Sequence, residues 1–166
     1  MIRAIVHADK KWGIGKNNDM MFSLPKDMKF FRETTSGHTV VMGGKTLRAM
    51  PGGKPLKNRV NIVLTRGQVT ENCVTVGSFD ALKAELKSRQ DEEIYIIGGG
   101  EIYKALLPYC HEALVTKVDA VGGAEVFFPN LDKAENFICV DEGEPLEDNG
   151  YVIRFTTYKN NAVESL

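Results

Sequence analysis

The sequence predicts a single α/β domain in which a mostly parallel sheet ends in an antiparallel C-terminal edge, flanked by about four helices. Three observations support this fold class. The chain has 166 residues, the size of one ordinary domain with a single core. Short β-branched runs alternate with helical patterns up to Pro108, as in proteins with parallel sheets. After Pro108, predicted strands follow one another without long helices between them, which favours antiparallel pairing.

The parallel half contains five predicted strands and four predicted helices. The strands are predicted at residues 2–8, 39–42, 60–64, 73–76 and 94–97. The helices are predicted at residues 25–34, 46–50, 79–88 and 101–107. The run 94–97 (Ile-Tyr-Ile-Ile) is apolar on both faces, which is typical of a central strand that helices cover on each side.

The C-terminal part is predicted to form the antiparallel edge. Its strands are predicted at residues 113–118, 126–128, 137–140 and 151–158, and the acidic segment 141–150 is predicted to be a turn region. No repeat, linker or low-complexity stretch divides the chain. We therefore predict one domain over residues 1–160 and a flexible tail over residues 161–166.

The composition narrows the class of function. Lys and Arg total 21 and Asp and Glu total 22, so the basic excess typical of nucleic-acid-binding proteins is missing. No apolar run is long enough to span a membrane, and the first residues lead into a strand rather than a signal peptide. Three unclustered cysteines favour reduced thiols and a cytoplasmic location. The expected partner is a small molecule, with no nucleic acid and no membrane.

Asp27 is the first residue that can carry chemistry. Pro25 suits the first turn of a helix, and Ser23 lies before it as a candidate cap. At helical spacing, Met28 and Phe31 belong to an apolar stripe, and Asp27 falls inside that stripe. A carboxylate among apolar neighbours is costly unless a donor hydrogen-bonds to it. Two interpretations stay open: an acid that complements the helix dipole, or a carboxylate kept for a cationic or amidine-like ligand.

Two glycine clusters each join a predicted strand to a predicted helix. Residues 43–46 read Gly-Gly-Lys-Thr, and residues 98–101 read Gly-Gly-Gly-Glu. Backbone N–H groups at such junctions bind phosphates well, although a tight turn alone explains each cluster equally well. Neither cluster is a standard nucleotide motif: Thr39 stands where a P-loop needs glycine, and Tyr103 where a dinucleotide motif needs glycine or alanine. Two such junctions in one domain favour a ligand with more than one phosphate.

Cationic and hydroxyl side chains lie near the same predicted sheet edge. Thr65 and Arg66 follow the predicted strand 60–64, and with Lys45 they can bind a further phosphate monoester. Arg59 precedes that strand and is either a partner for a carboxylate or a solvated surface arginine. The histidines and cysteines show no metal-ligand spacing and no serine lies in a nucleophile motif, so we expect neither metal nor covalent catalysis.

Taken together, these motifs resemble dihydrofolate reductases of the bacterial chromosomal type over nearly the whole chain. The matching positions are Ile14-Gly15, Met20, Leu24-Pro25-Lys26-Asp27, Phe31, Met42-Gly43, Thr46, Arg59, residues 97–103, Thr116 and Phe128-Pro129. The resemblance implies an eight-stranded mixed sheet flanked by helices. It also implies an enzyme that reduces 7,8-dihydrofolate to tetrahydrofolate with NADPH, supplies one-carbon metabolism, acts as a monomer and binds antifolate inhibitors.

The resemblance further implies roles at the substrate site. Asp27 is expected to bind the amino-pyrimidine edge of the pterin and to assist its protonation, with Thr116 hydrogen-bonded to it. Arg59 is expected to pair with the α-carboxylate of the substrate's glutamate. The other expected substrate-binding residues are Ile5, Val6, Met28, Phe31, Met50, Lys54 and Leu56.

The resemblance also implies the cofactor site. Met20 is expected to lie in a mobile loop that closes over the nicotinamide and so to take part in catalysis. Ile5, Val6 and His7 are expected to line the site chiefly through their backbone. The expected NADPH-binding residues are His7, Ile14, Gly15, Gly44, Lys45, Thr46, Thr65, Arg66, Gly77, Ile97, Gly98, Gly99, Gly100, Glu101, Ile102 and Tyr103.

Several positions depart from the pattern of the family. Met21-Phe22 replaces a Pro-Trp pair, so a ring without a donor stands in place of the indole. Gly44 stands where many relatives carry arginine, and Glu125 replaces an aspartate that helps to hold the loop. Val6-His7 replaces a pair of small residues.

Three other functions stay open as alternatives. The pyrimidine reductase of riboflavin synthesis shares the NADPH-binding architecture but lacks the Leu-Pro-x-Asp element, which is present here at residues 24–27. A phosphate-binding module or small kinase built on residues 43–46 is disfavoured by the failed P-loop spacing. A scaffold without catalytic activity would not need an acid in the apolar stripe.

Overall fold

Strands and short helices alternate along the part of the chain that the structure describes. The structure is a computed structural model and describes residues 1–17, 19–67 and 71–166. The strands are β1 (Ile2–Ala8), β2 (Gly13–Gly15), β3 (Thr39–Gly43), β4 (Val60–Leu64), β5 (Val74–Val76), β6 (Ile94–Gly98), β7 (Glu112–Val118), β8 (Val126–Phe127), β9 (Phe137–Glu142), β10 (Leu146–Asp148) and β11 (Tyr151–Asn160). The helices are α1 (Pro25–Thr35), α2 (Gly44–Ala49), α3 (Phe79–Lys87) and α4 (Gly100–Leu106), with short 3₁₀ turns at Pro51–Gly53 and Leu107–Tyr109.

The main sheet has eight strand positions, which confirms the predicted fold class. The order is β11, β7, β1, β6, β3, β4, β5, and both β9 and β10 pair with the outer side of β11. β9 and β10 therefore share the eighth position, because β10 pairs with the first part of β11 and β9 pairs with the rest of it. Pairing is parallel from β7 to β5 and antiparallel between β11 and each of its neighbours. The antiparallel C-terminal edge lies where the sequence predicts it.

Helices cover both faces of the central strands. Alternate residues of β3 point to opposite faces, so Val41 belongs to one apolar cluster and Val40 and Met42 belong to another. The first cluster contains buried leucines of α3 and α4, and the second contains Leu47 of α2 together with half-buried phenylalanines of α1. Burial on both faces explains why the central strands are continuous apolar runs in the sequence.

A two-stranded ribbon lies outside the main sheet, and the sequence analysis does not predict it. β2 pairs antiparallel with β8, with Gly13 opposite Phe127 and Gly15 opposite Val126. The prediction that residues 126–128 belong to the antiparallel sheet edge is therefore wrong. Glycine has low β-propensity, so a Gly-Ile-Gly segment carries no strand signal of its own.

The boundaries of two further segments differ from the prediction. Helix α2 begins at Gly44, two residues before the predicted start, so Gly44 and Lys45 lie in its first turn. The segment 141–150 is not only a turn, because it contains the end of β9 and all of β10. The longest helix, α1, has 11 residues, and no helix among the described residues is long and apolar enough to cross a membrane.

The start of α1 is capped by a residue far along the chain. The prediction that Ser23 caps this helix is wrong, because the N-cap position is Leu24 and no side chain next to it makes a capping hydrogen bond. Instead, both carboxylate oxygens of Asp148, which is 1% exposed, accept from the backbone N–H of Lys26 at 3.0–3.1 Å. One of them also accepts from the N–H of Asp27 at 3.1 Å. The negative charge lies at the positive end of the helix dipole, where it is stabilising.

Residues 161–166 lie along the surface of the domain. The N–H of Asn161 donates to the carbonyl of Asn136 at 2.7 Å, and the N–H of Glu164 donates to the carbonyl of Pro108 at 3.0 Å. The side chain of Leu166 packs against the larger apolar cluster. The flexibility of this tail stays a prediction.

Replacing Asp148 with alanine removes the acceptor for the first N–H groups of α1 at a buried position. We expect the free energy of unfolding to fall by about 2 kcal/mol, since helix caps and hydrogen bonds to buried charges each contribute about 1–3 kcal/mol. Urea unfolding followed by circular dichroism measures this loss. The control is Glu144→Ala, which changes an exposed acid of the same segment and should cost less than about 0.5 kcal/mol. Equal losses in the two variants would contradict the capping role.

Candidate active site

The two glycine junctions lie side by side at the edge where the parallel strands end. Strand β3 passes into α2 at Gly43, and β6 passes into α4 through Gly98 and Gly99. A Cβ atom at Gly43 would lie 3.4 Å from Ile102 of α4, and one at Gly99 would lie 3.6 Å from Oγ1 of Thr46 in α2. Gly98 has φ +126°, a conformation that other residues rarely adopt. The two junctions therefore form one continuous surface at this edge.

Asp27 points inward from the first turn of α1 and is 7% exposed. The hydroxyl Oγ1 of Thr116 in β7 donates to Oδ1 of Asp27 at 2.7 Å. On the other oxygen, Nδ1 of His7 lies 3.3 Å from Oδ2. His7 and Thr116 are opposite each other in the pairing of β1 with β7, so the register of the sheet fixes both neighbours of the carboxylate.

Tyr103 connects α4 to the central strand β1. Its hydroxyl donates to the backbone carbonyl of Ile5 at 2.7 Å. Burial raises the pKa of Tyr103, and the nearby charge of Asp27 raises it further. The phenol therefore stays protonated at neutral pH and remains a donor that holds α4 against the strand.

Most of the expected substrate-binding apolar residues lie in one apolar cluster. The cluster members among them are Ile5, Phe31, Met50 and Leu56. They come from β1, from α1 and from the segment after α2, so three separate parts of the chain form one wall. Val6 does not belong to this wall, because its side chain packs against the core on the opposite face of the sheet. Met28 is half-buried and lies outside the cluster.

Arg59 lies on a turn that a buried asparagine holds in place. The side chain of Asn61, 2% exposed, bonds to both backbone groups of Leu56 and to the carbonyl of Arg59 at 2.9–3.1 Å. Nη1 of Arg59 is buried and has no hydrogen-bond partner among the described residues. Partial burial lowers the pKa of the Arg59 guanidinium, and the charge of Arg32 contributes to the same shift. Sequence analysis missed Asn61, whose signal was a polar side chain inside a predicted apolar strand.

Cationic side chains surround the junction of β3 with α2. Lys45 and Arg66 are exposed at this edge, as their predicted role requires. A Cβ atom at Gly44 would lie 2.9 Å from Oγ1 of Thr65 and 3.2 Å from Nη1 of Arg48. The guanidinium of Arg48 therefore reaches the space beside Gly44. Sequence analysis missed Arg48. Its position four residues after Gly44 places both residues on the same face of a helix, and this spacing could have identified it.

The remaining expected cofactor and substrate residues differ in exposure. Lys54, Gly77 and Glu101 are exposed. Ile97 is half-buried and packs in the same apolar cluster as the substrate wall. Gly100 lies close to the ribbon, since a Cβ atom there would be 2.6 Å from Val126.

Asp9 holds the first residues of the loop between β1 and α1 in place. Its carboxylate is 5% exposed and accepts three backbone hydrogen bonds, from Lys11 and Gly13 at 2.8 Å and from Gly122 at 2.9 Å. The side chain thus joins the loop after β1 to the segment before β8. Sequence analysis missed Asp9, and a carboxylate at the end of a buried strand was the available signal.

Glu125 provides a second attachment for the same loop. Its carboxylate accepts from the N–H of Asn17 at 2.7 Å, and its own N–H donates to the carbonyl of Gly15 at 2.8 Å. Ile14, between these attachments, packs against the core. Met20 lies farther along the loop and is 53% exposed. The loop is therefore attached to the segment before β8 at its base and presents Met20 to solvent.

The site thus combines a buried carboxylate, an apolar wall, an arginine with a donor that no described residue accepts and a cationic glycine-lined edge. A family model described as dihydrofolate reductase matches residues 1–160 of the chain. The chain belongs to the dihydrofolate reductase family. This finding confirms the resemblance that the sequence motifs indicate.

Individual members of the dihydrofolate reductase family match nearly the full chain. Dihydrofolate reductase of Bacillus subtilis is 34% identical over 163 residues, which are 96% of this chain and 94% of that protein. Dihydrofolate reductase of Haemophilus influenzae is 38% identical over 144 residues, which are 86% and 88% of the two chains. A solved structure of dihydrofolate reductase from Enterococcus faecalis, complexed with NADP(H) and RAB-propyl, matches with a TM-score of 0.83 and 32% identity. That match covers 97% of this chain and 96% of the other. These matches do not favour the alternative of a riboflavin-pathway reductase.

Proposed function

We propose that this member of the dihydrofolate reductase family reduces 7,8-dihydrofolate to 5,6,7,8-tetrahydrofolate with NADPH. The observation that carries the proposal is the buried Asp27 carboxylate, which the Thr116 hydroxyl orients at the carboxyl edge of the sheet. A carboxylate in this position is costly unless a ligand with matching donors completes its hydrogen bonds. The amino-pyrimidine edge of a pterin offers two adjacent N–H donors, which match the two carboxylate oxygens.

Asp27 has two roles in the proposed reaction. It binds the pterin edge through paired, charge-assisted hydrogen bonds, and Thr116 keeps its first oxygen in the plane that this pairing needs. The reaction also adds a proton to the ring nitrogen beside the carbon that accepts the hydride. The negative charge of Asp27 favours the protonated pterin, so it assists this proton transfer.

The apolar wall and Arg59 bind the rest of the substrate in this proposal. Ile5, Phe31, Met50 and Leu56 enclose the pterin and aminobenzoyl groups, which are flat and largely apolar. Arg59 carries a buried nitrogen without a partner among the described residues, and the α-carboxylate of the glutamate supplies the missing acceptor.

The glycine junctions and their cations fit NADPH. Cβ atoms at Gly44 and Gly100 would lie under 3.0 Å from the side chains of Thr65 and Val126, so glycine keeps the backbone open at both junctions unless these neighbours shift. Lys45, Arg48 and Arg66 supply positive charge for the phosphates, and the backbone N–H groups at the start of α2 and α4 add donors. NADPH supplies the hydride when it is bound. The chain itself supplies alignment of the two ligands and exclusion of water.

The loop that carries Met20 covers the site in this proposal. Asp9 and Glu125 attach its base, and the exposed Met20 is free to pack over a bound nicotinamide. We further propose a cytoplasmic monomer, since one chain provides the residues for both ligands. Antifolate inhibitors with an amidine-like edge would bind the Asp27 carboxylate in place of the substrate.

Arg66→Leu should alter the choice between the two nicotinamide cofactors. The cation lies where the extra phosphate of NADPH is expected, so its loss should raise KM for NADPH more than KM for NADH. Initial-rate measurements with each cofactor at saturating dihydrofolate provide the comparison, with NADH as the internal control. Equal increases for both cofactors would show that Arg66 does not contact the extra phosphate.

Arg59→Lys should weaken substrate binding and leave NADPH binding nearly intact. Lysine keeps the positive charge but cannot form the paired contact that a guanidinium makes with a carboxylate. We expect KM for dihydrofolate to rise about tenfold, the size of one charge-assisted contact. Arg154→Lys, on the exposed face of β11, is the matched control. An unchanged KM in Arg59→Lys would make Arg59 a surface arginine.

Asp27→Asn should remove most of the activity at neutral pH. The substitution keeps the size of the side chain but removes the charge that favours proton transfer, an effect of about 100- to 10,000-fold. Activity should recover as the pH falls, because substrate that is already protonated bypasses the role of the carboxylate. A pH–rate profile at saturating NADPH measures both effects.

The matched control is Asp80→Asn, which changes an exposed acid in the first turn of α3. If Asp27 were only a helix-start acid, the two variants would behave alike. Wild-type activity of Asp27→Asn at pH 7 would therefore refute the catalytic assignment.

A further inference from the structure

The side chain of His7 lies directly beside the carboxylate proposed to bind the pterin. Nδ1 of His7 is 3.3 Å from Oδ2 of Asp27, which is within ion-pair distance. Only 8% of the histidine side chain and 11% of the aspartate side chain are exposed. The family resemblance implies a backbone contribution at this position, so the imidazole itself has no assigned role.

Packing alone does not explain a histidine at this position. Nε2 of His7 is buried and has no hydrogen-bond partner among the described residues. A buried polar atom without a partner is destabilising, and an apolar side chain of similar size would avoid that cost. The polar contact that the structure offers this ring is the one with Asp27.

The two oxygens of Asp27 have different neighbours. Oδ1 accepts from the hydroxyl of Thr116, and Oδ2 faces Nδ1 of His7. A carboxylate has about four acceptor positions, so each oxygen keeps room for one N–H donor of a pterin. The contact with His7 therefore leaves the carboxylate with acceptor capacity for a ligand.

We propose that His7 is a positioning residue that holds Oδ2 of Asp27 through Nδ1. The proposal rests on the proposed reduction of dihydrofolate. An imidazole that carries a proton on Nδ1 turns a polar N–H group toward Oδ2 across the 3.3 Å contact.

Two ionisable groups that act on Asp27 are already engaged. The hydroxyl of Tyr103 donates to a backbone carbonyl, and the carboxylate of Asp148 accepts backbone N–H groups of α1. The ring of Phe22, whose centroid lies 6.2 Å from that of the imidazole, is neutral. Among the described residues, the ion-pair contact of the imidazole is therefore the one with Asp27.

The test uses two substitutions of His7 and one matched control. His7→Ala removes the ring, whereas His7→Asn keeps an N–H donor near the position of Nδ1 but cannot become a cation. His38→Asn is the control, because that imidazole lies before β3, at the opposite end of the parallel strands, with its ring 5.9 Å from Tyr95. Steady-state kinetics with dihydrofolate and NADPH are measured for each protein across the pH range of activity.

We expect His7→Ala to raise KM for dihydrofolate about tenfold, the size of one charge-assisted contact, with KM for NADPH nearly unchanged. His7→Asn should recover most of this loss, since its amide can turn an N–H group toward Oδ2. His38→Asn should match wild type in KM for both ligands.

Two results would overturn the proposal. One is an unchanged KM for dihydrofolate in His7→Ala, and the other is an equal rise of KM for dihydrofolate and for NADPH together with a loss of thermal stability. Either result would show that His7 is only a packing residue. If His7→Ala does not fold, the KM values of His7→Asn provide the test instead. A wild-type protein without dihydrofolate-dependent oxidation of NADPH would instead refute the proposed function, so the two failures are distinguishable.

Discussion

The buried carboxylate of Asp27 ties the start of α1 to the carboxyl edge of the sheet. The hydrogen bond from Thr116 joins α1 to β7 across 89 positions of sequence. Strand β1 pairs with β7 and brings His7 to the same carboxylate. Because the carboxylate is buried, these polar neighbours offset the cost of burying it there.

The periodicity of the sequence was sufficient to predict the main sheet and unable to predict the ribbon. Runs such as residues 94–97 are apolar on both faces, and only a central strand uses that pattern. The ribbon depends on pairing between Gly13–Gly15 and Val126–Phe127. The first of these segments is Gly-Ile-Gly, a sequence with no preference for a strand. Likewise, the sequence of β10 predicts an acidic turn, because the segment becomes a strand only through its pairing with β11.

The site was predictable where the chemistry lies in consecutive residues and unpredictable where it depends on distant partners. Asp27 and the glycine junctions are visible as local patterns, and the family resemblance adds their roles. Asp148 acts by accepting backbone N–H groups more than a hundred positions away, and no local pattern shows such a partner. Asp9 has one such distant donor, Gly122, beside two donors in its own loop. The contact of His7 with Asp27 depends on the register of β1 with β7, which periodicity does not determine.

The cap on α1 has a consequence for the order in which the protein assembles. Asp148 lies 121 positions after Asp27, so a growing chain on the ribosome carries α1 without the acceptor for its first N–H groups until residue 148 has been made. Strand β1 likewise waits for residues 112–118 before it can become an interior strand. Contacts between distant segments form slowly, and apolar strands stay exposed until they do. A translation product that stops before residue 148 therefore lacks the cap that holds the start of α1, and with it the support of the backbone that carries Asp27.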